Sequence, residues 1–448
     1  MKNTHSRRID WLLVTFLMAC HGVALAQQGV EGNALTNNFQ FPSTNFPSQA
    51  MGPTTPGSGQ FGASFMGTSA LPGAPQGVYV PTGLPLESWG PLGVYPHLRY
   101  SLTYGNGIEA SPGVNSTTAI NTVAPGLLFT LGGHWILDYT PSLSFYSNPL
   151  FHDTTDQMVM LRGSTTYRDW TLILSQGYVN STQPLVETGT QVAQEAYTTA
   201  FYAAWQMNDK MALQLGLNQN FRTAEELNSL HEWTTSDWLN YQLEPQLGAA
   251  IGLTGGYDEV SLGSDMPFEE VLGRVIFQPG AKLSLIVVGG AEERQFIHPS
   301  SAPFFGPIFN ASALYKLFEG TLLTVSGSRE VTPSFYGNEI NVITAFTGRV
   351  RQDITKKVYF EFSGGYTSEP FTSIVAGPLP QYYIGTPPRT DLVQTRSDTR
   401  TYVQVRLSAV FRTRLTASIF YMHTEDASSQ SNFTYSGNQV GLDLNYRY

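Results

Sequence analysis

An alternation of apolar and polar residues constrains the fold more than any other feature of the chain. It begins at about His97 and continues to the end of the chain. A period of two places successive side chains on opposite faces of a β-strand. The sequence therefore predicts strands with one apolar and one polar face. In the last ten residues the apolar positions are Val440, Leu442, Leu444, Tyr446 and Tyr448.

Segments of this kind come in pairs joined by short turns. Eight such pairs, with one opening strand and one closing strand, predict an all-β fold of about 18 strands. Longer connections separate the pairs, at residues 180–194, 222–236 and 368–399. Short turns on one side and long loops on the other are typical of antiparallel up-and-down barrels in outer membranes, whose short turns face the periplasm. An even strand number also brings the first and last strands together, so that no edge remains open.

Aromatic residues distinguish this barrel from a soluble β-sandwich, which would also show alternation. Trp135, Trp170 and Trp205 lie near predicted short turns, whereas Tyr178 and Tyr257 lie near long loops. Two aromatic belts are typical of the two interfaces of a membrane. A soluble sheet would instead carry Lys, Glu and Arg along its solvent face, and charged residues make up only 13% of this chain. The pattern favours a transmembrane β-barrel over residues 97–448.

The first 96 residues differ from the predicted barrel. A basic start, an apolar core and an Ala-Leu-Ala cleavage site predict a signal peptide over residues 1–26. Lipoprotein processing before Cys20 is the alternative. Residues 27–96 are rich in proline and glycine, which break both the helical and the strand period. We expect a flexible periplasmic segment there.

Several functional classes are disfavoured by composition. A net charge of -10 argues against nucleic-acid binding. Cys20 is the single cysteine, so a disulfide scaffold or a zinc-thiolate site is not expected. The histidines His231, His298 and His423 are isolated, and no Gly-x-Ser-x-Gly segment occurs. We expect neither a catalytic site nor a metal or cofactor.

Two local patterns carry a family resemblance. The segments Gly177-Tyr178, Gly256-Tyr257 and Gly364-Gly365-Tyr366 follow apolar alternations. With this repeat of a tight turn, an apolar alternation and a Gly-Tyr pair, residues 92–448 resemble the outer-membrane β-barrel porin family of the exopolysaccharide-associated type. The C-terminal strand is also similar to the closing strand of bacterial outer-membrane barrels, with Gly441, Leu444, Tyr446 and the terminal Tyr448 at the matching positions.

The resemblance implies a location and a set of partners. It implies the outer membrane of a Gram-negative-type bacterium, with membrane lipid and the barrel-assembly machinery as partners. The function we expect is a porin-like channel for passive transport of small solutes, anions among them. The alternative is a barrel component of exopolysaccharide export or surface attachment. The number of copies per assembly is not indicated by the sequence.

Basic residues on the polar face suggest an anion-selective lumen. Charged rings in a lumen set ion selectivity. The alternative is that these arginines pair with Glu361 and Asp443 and only brace the wall. Other acids, such as Asp258, Glu270 and Asp426, are expected in long loops. The candidate pore residues are Arg274, Arg349, Arg351, Arg400 and Arg406.

The longest predicted connection, residues 368–399, is the candidate constriction. It contains five prolines together with several aromatic and aliphatic residues. Long loops of this composition tend to pack or to serve a function. We expect it to fold into the lumen, and the alternative is a cap over its neighbours.

Overall fold

The structure, a computed structural model, describes residues 87–109, 113–132, 134–185, 187–297, 302–376, 390–411 and 414–448. The predicted signal peptide and residues 27–86 of the predicted flexible segment lie outside these residues. So do the turn predicted at 412–413 and the centre of the longest predicted connection. No helix in the described part of the chain is long and apolar enough to cross a membrane.

Almost all described residues belong to strands. Strands that are consecutive in the sequence pair as antiparallel hairpins, joined by short turns. One short 3-10 helix, Ser431–Phe433, precedes the last strand. The strands are β1 (Glu87–Trp89), β2 (Leu92–Glu109), β3 (Asn115–Leu131), β4 (Trp135–Tyr146), β5 (Thr154–Tyr167), β6 (Trp170–Ser181), β7 (Pro184–Leu185), β8 (Thr190–Gln191), β9 (Gln194–Gln206), β10 (Met211–Ala224), β11 (Leu230–Glu244), β12 (Leu247–Val260), β13 (Met266–Gly280), β14 (Leu283–Arg294), β15 (Phe304–Phe318), β16 (Thr321–Pro333), β17 (Glu339–Asp353), β18 (Val358–Ala376), β19 (Thr390–Phe411), β20 (Leu415–Ser428) and β21 (Tyr435–Arg447).

Eighteen of these strands, β2–β6 and β9–β21, close into one antiparallel barrel. The closing seam joins β21 to β2, where Val440 is opposite Tyr104 and Tyr446 is opposite Leu98. The backbone N–H of Tyr448 completes the seam by donating to the carbonyl of Pro96, at 3.1 Å. The predicted strand number and the closing role of the last strand are therefore confirmed.

The first wall strand begins earlier than its alternation suggests. β2 starts at Leu92, so residues 92–96 of the predicted flexible segment belong to the wall. β1 pairs with the same end of β2, with Trp89 opposite Leu92. Gly90, between them, has a φ of +62°, a conformation that glycine adopts at little cost. Because β21 ends beside His97, β1 covers the part of the β2 edge that the chain end leaves open.

The two faces of the wall differ as the alternation predicts. Outward residues near mid-height are apolar and open, with Ile251 68% and Val271 61% exposed. Inward residues such as Gln214, Thr254 and Ser408 are polar and buried. A closed sheet satisfies its backbone hydrogen bonds internally and can therefore face hydrocarbon. With its apolar outer face and aromatic belts, the protein is an outer-membrane β-barrel.

Several strands continue well past the membrane on the side of the long loops. The connection expected at 222–236 is only residues 225–229, because β11 starts at Leu230. β18 and β19 likewise remain paired as far as Ala376 and Thr390. The ends of the expected loop 368–399 are therefore strand, and residues 377–389 lie outside the described part of the chain. Where described, this connection does not fold into the lumen.

Candidate functional site: the lumen and the outer mouth

The five predicted pore arginines all lie on the inward face. Arg274 is on β13, Arg349 and Arg351 are on β17, and Arg400 and Arg406 are on β19. Their strand neighbours on the opposite face, including Val275, Val350 and Val403, are exposed to the lipid side. The strand period thus places these side chains in one lumen.

Arg274 is held by neutral groups. Its Nη2 donates to Gln214 Oε1 at 2.7 Å and to Asn240 Oδ1 at 2.5 Å. The guanidinium also stacks on the Trp238 ring, 4.3 Å from its centroid. Side chains from two other strands, β10 and β11, therefore fix this positive charge without neutralising it.

The other four arginines have carboxylate partners. Arg406 Nη1 is 2.6 Å from Asp443 Oδ2, across the intervening strand β20. Arg349 Nε is 3.5 Å from Glu361 Oε1. Pairing with Glu361 and with Asp443, the alternative that the sequence left open, is therefore present. The remaining pairs are Arg351 Nε with Asp353 Oδ1 at 3.2 Å and Arg400 Nε with Asp426 Oδ1 at 3.7 Å.

The prediction that Asp258, Glu270 and Asp426 lie in long loops is wrong. All three are on strands, face inward and are at most 8% exposed. The strands extend beyond the membrane, and the inward phase continues with them. Extending the alternation of Val271 and Val275 by one residue would have placed Glu270 inward. The lumen therefore carries more acidic groups than the sequence analysis assigned to it.

A second charged group, centred on Arg294, lies on the wall formed by β11–β14. Arg294 pairs with Asp258 and with Glu292, the latter at 2.8 Å. Its guanidinium lies 4.3 Å from the centroid of the Phe268 ring. Glu232 accepts a hydrogen bond from the Thr234 hydroxyl at 2.9 Å. Sequence reasoning missed this group because it assigned Asp258 to a long loop, away from Glu292 and Arg294.

The segment between β6 and β9, residues 182–193, crosses the lumen. Its Glu187 carboxylate accepts hydrogen bonds from the Ser334 hydroxyl, from the Phe335 backbone N–H at 2.8 Å and from Asn341 Nδ2 at 3.2 Å. Asn341 is on β17, and β6 and β17 are nine steps apart among the 18 wall strands in either direction. The contacts therefore join elements that belong to opposite sides of the barrel wall.

A second element meets this segment from the opposite wall. Residues 334–338, the tip of the β16–β17 hairpin, contact Asn228, whose backbone N–H donates to the Phe335 carbonyl at 2.9 Å. The Arg222 guanidinium stacks on the Phe335 ring at 3.8 Å. Asn228 lies two residues before β11, and β11 is five steps from β16 in the wall, so the hairpin tip must lean over the mouth. We call residues 182–193 and 334–338 together the mouth bridge.

Apolar packing holds the hairpin in this position. Val331, Ile340 and Val342 would face lipid if the hairpin stayed in the wall, yet they are at most 5% exposed. They pack with inward residues from the ends of other strands. Burying apolar side chains stabilises such a position by about 1.5–3 kcal/mol each. The remaining members of the cluster are Leu230, Val260, Met266, Phe296 and Ile308.

Glu187 is the titratable centre of the mouth bridge and lies outside the membrane-spanning strands. Burial raises the pKa of its carboxyl, and the hydrogen bonds from Ser334 and Phe335 and the nearby Arg222 oppose that shift. Arg396 Nη2 donates to the Glu187 carbonyl at 3.0 Å, which fixes the backbone as well. The prediction of residues 368–399 as the constricting segment did not identify this element.

Metal binding is not indicated in the described part of the lumen and its mouth. In the described ranges, no three His, Cys, Asp or Glu side chains are grouped so that they could hold a metal ion. The isolated histidines His231 and His423 lie on the outward face near the outer rim, where His231 Nδ1 is 3.6 Å from Glu259 Oε2. His298 lies outside the described residues. The expectation that the protein is not an enzyme stays a prediction.

Comparison with known proteins gives fold likeness only. No family model and no curated protein matches the chain. OccK2 (OpdF) of Pseudomonas aeruginosa is similar in structure, with 10% identity, a TM-score of 0.44 and coverage of 79% of this chain and 98% of that one. Acinetobacter baumannii OccAB3 has 8% identity and a TM-score of 0.43, and the match covers 79% of this chain and 99% of that one. Pseudomonas aeruginosa OpdK with vanillate has 10% identity and a TM-score of 0.41, and the match covers 82% of this chain and 100% of that one. TM-scores of this size do not assign a family to the chain.

Proposed function

We propose that the protein is a porin-like channel for passive diffusion of small polar solutes, narrowed at its outer mouth by the mouth bridge. The observation that carries this proposal is a closed barrel with a polar inner wall and a lumen-crossing segment bound at Glu187. A barrel of this strand number encloses an aqueous lumen. A segment that crosses such a lumen limits the size of the solutes that can pass but leaves the channel open.

The expected preference for anions rests on the inward arginines. Arg274 keeps its positive charge without a carboxylate partner, whereas Arg349 and Arg406 are paired. Charged rings in a lumen set ion selectivity, and the inward acids Asp258, Glu270 and Asp426 oppose an anion preference. We therefore expect anion preference to be modest and to depend strongly on Arg274. Replacing Arg274 with Gln should lower the anion-to-cation permeability ratio, measured as a reversal potential in a salt gradient.

Solute uptake into proteoliposomes tests the proposal. Vesicles holding the folded barrel should swell in isosmotic small sugars or amino acids, and the rate should fall steeply as solute size increases. The finer alternative, a dedicated barrel for exopolysaccharide export or attachment, predicts no swelling with small solutes. Protein-free vesicles and vesicles with heat-unfolded protein are the controls.

A further inference from the structure

Charged side chains on the inner face of the barrel form two groups along its axis. The arginines of the first group lie within six residues of the strand end that carries a short turn: Arg162, Arg274, Arg349, Arg351 and Arg406. Short turns face the periplasm in barrels of this class, so these arginines surround the inner end of the lumen. Together with Lys316 and Arg447 they outnumber the inward carboxylates at that level, which include Glu361 and Asp443. The inner end is therefore positively charged.

The second group is acidic and lies towards the outer mouth. Its carboxylates stand nine or more residues from the same strand ends: Asp258, Glu270, Glu292, Glu330, Glu369 and Asp426. Arg294 neutralises part of this charge by pairing with Asp258 and Glu292. In the described ranges, no ion pair involves Glu270, Glu330 or Glu369. The outer end of the lumen is therefore negatively charged.

Uncharged polar residues line the lumen between the two groups. Inward residues about midway along their strands include Asn218, Thr254 and Gln404. On β13, Glu270 and Arg274 share the inner face and are four residues apart. A tilted strand climbs about 2.5 Å per residue along the membrane normal, so these opposite charges are about 10 Å apart along the axis. That distance is about one Debye length at 0.1 M salt, so a mobile ion meets the two groups one after the other.

Each group concentrates ions of the opposite sign. A cleft lined by charge of one sign raises the local concentration of its counterions, so cations gather at the outer end and anions at the inner end. A voltage that is positive on the outer side drives cations inwards and anions outwards. Both ions then enter from the end that concentrates them, and the lumen fills with charge carriers. The opposite voltage draws each ion from the end that repels it, and the lumen is depleted of carriers.

We propose that the lumen is a bipolar ion rectifier, which conducts better when the outer side is positive than when the periplasmic side is positive. The inference rests on the proposed function, because only an open channel can rectify. The acidic mouth favours the entry of small cationic solutes such as amines. The basic inner end favours the exit of small anions.

Single-channel recording at both polarities tests this proposal. Glu225 is exposed at the outer mouth, so Glu225→Cys, treated with a bulky thiol reagent from one chamber, reports which way each channel is inserted. In 0.1 M KCl, currents at equal and opposite voltages should differ by at least about twofold, with the larger current when the outer side is positive. In 1 M KCl the Debye length falls to about 3 Å, and the ratio should approach one. Recordings at about pH 9 keep the carboxylates ionised.

Variants on the two faces of one strand identify the charges responsible. Glu270→Arg with Arg274→Glu reverses the order of charge on β13 at constant net charge, and it should lower the ratio. Glu330→Gln removes one outer charge by a near-isosteric change and should also lower it, which keeps the test open if the exchanged pair does not fold. The matched control is Glu269→Gln, which removes an exposed carboxylate from the outward face beside Glu270 and should leave the ratio unchanged.

The outcomes separate this inference from the proposed function. A wild-type channel with equal currents at both polarities in 0.1 M KCl would overturn the rectifier and leave the passive channel intact. A larger current with the periplasmic side positive, or a ratio that neither lumen variant changes, would also overturn it. A folded barrel without any conductance would overturn the proposed function and the rectifier together.

Discussion

The mouth bridge gives the sharpest prediction, because one side chain fixes it. The Glu187 carboxylate accepts three hydrogen bonds from residues across the lumen, including the Phe335 N–H at 2.8 Å and Asn341 Nδ2 at 3.2 Å. A hydrogen bond to a charged group contributes about 1.5–3 kcal/mol, and donors released into a wet lumen recover part of it. Replacing Glu187 with Ala should therefore weaken docking by about 2–4 kcal/mol in total. At about 1.4 kcal/mol per factor of ten, the undocked population rises about 30- to 700-fold.

The assay is single-channel recording in planar bilayers. Glu187→Ala should show a higher mean conductance and longer high-conductance periods than wild type, because residues 182–193 no longer cross the lumen continuously. The control is Glu225→Ala, which removes an exposed carboxylate from the same mouth. Thermal stability should be nearly unchanged in both, since the wall strands are not altered. Identical conductance histograms for wild type and Glu187→Ala would refute a constricting role of the mouth bridge.

Three further predictions concern titration, the two faces and closure. Burial raises the pKa of the Glu187 carboxyl, so docking of the mouth bridge is coupled to the uptake of a proton. Docking is therefore strongest below the ordinary carboxyl pKa and weakens as the pH rises through the raised value. Acidification should lower the conductance, and Glu187→Gln should flatten that response. Val405→Arg should lower the free energy of unfolding in vesicles by about 2–4 kcal/mol, whereas Thr424→Arg, facing the lumen, should change it much less; equal losses would contradict the assigned faces. Deleting residues 445–448 should abolish the heat-dependent gel shift, because the β21–β2 seam loses its last pairs, and a normal shift in normal yield would show that this seam is dispensable.

The wall was predictable from the sequence because a lipid-facing strand must alternate. Inside the membrane most outward residues are apolar and most inward residues are polar. In segments such as β12 and β21 this alternation predicts both the strand and the face that it turns to lipid. Short turns interrupt the alternation at regular spacing, which located all eight hairpins. The strand number followed from these turns.

Strand ends were less predictable because above the membrane both faces carry a mixture of polar and apolar residues. β11 starts with Leu230, His231 and Glu232, so no apolar face shows where the strand begins. β18 contains Pro370, which argued for a loop, yet the strand continues through it and pairs with β19. The inward acids Asp258 and Asp426 lie in such extensions, and the sequence placed them in loops for that reason.

The mouth bridge could not be predicted from local pattern. Glu187 and Ser334 are 147 residues apart, and neither residue stands in a motif. Their contact depends on the barrel diameter and on the lean of the β16–β17 hairpin, which the apolar cluster around Ile340 stabilises. Such a contact follows from the closed tertiary structure and is not encoded in any one segment.

Conductance of the wild-type protein tests the central claim most directly. Purified, heat-modifiable barrel should insert into planar bilayers and produce discrete ion-conducting steps, with a size cut-off set by the mouth bridge. The Arg274→Gln barrel should conduct with a lower anion-to-cation ratio. Folded wild type and folded Glu187→Ala that both insert without any conductance would contradict a passive channel and leave a closed scaffold.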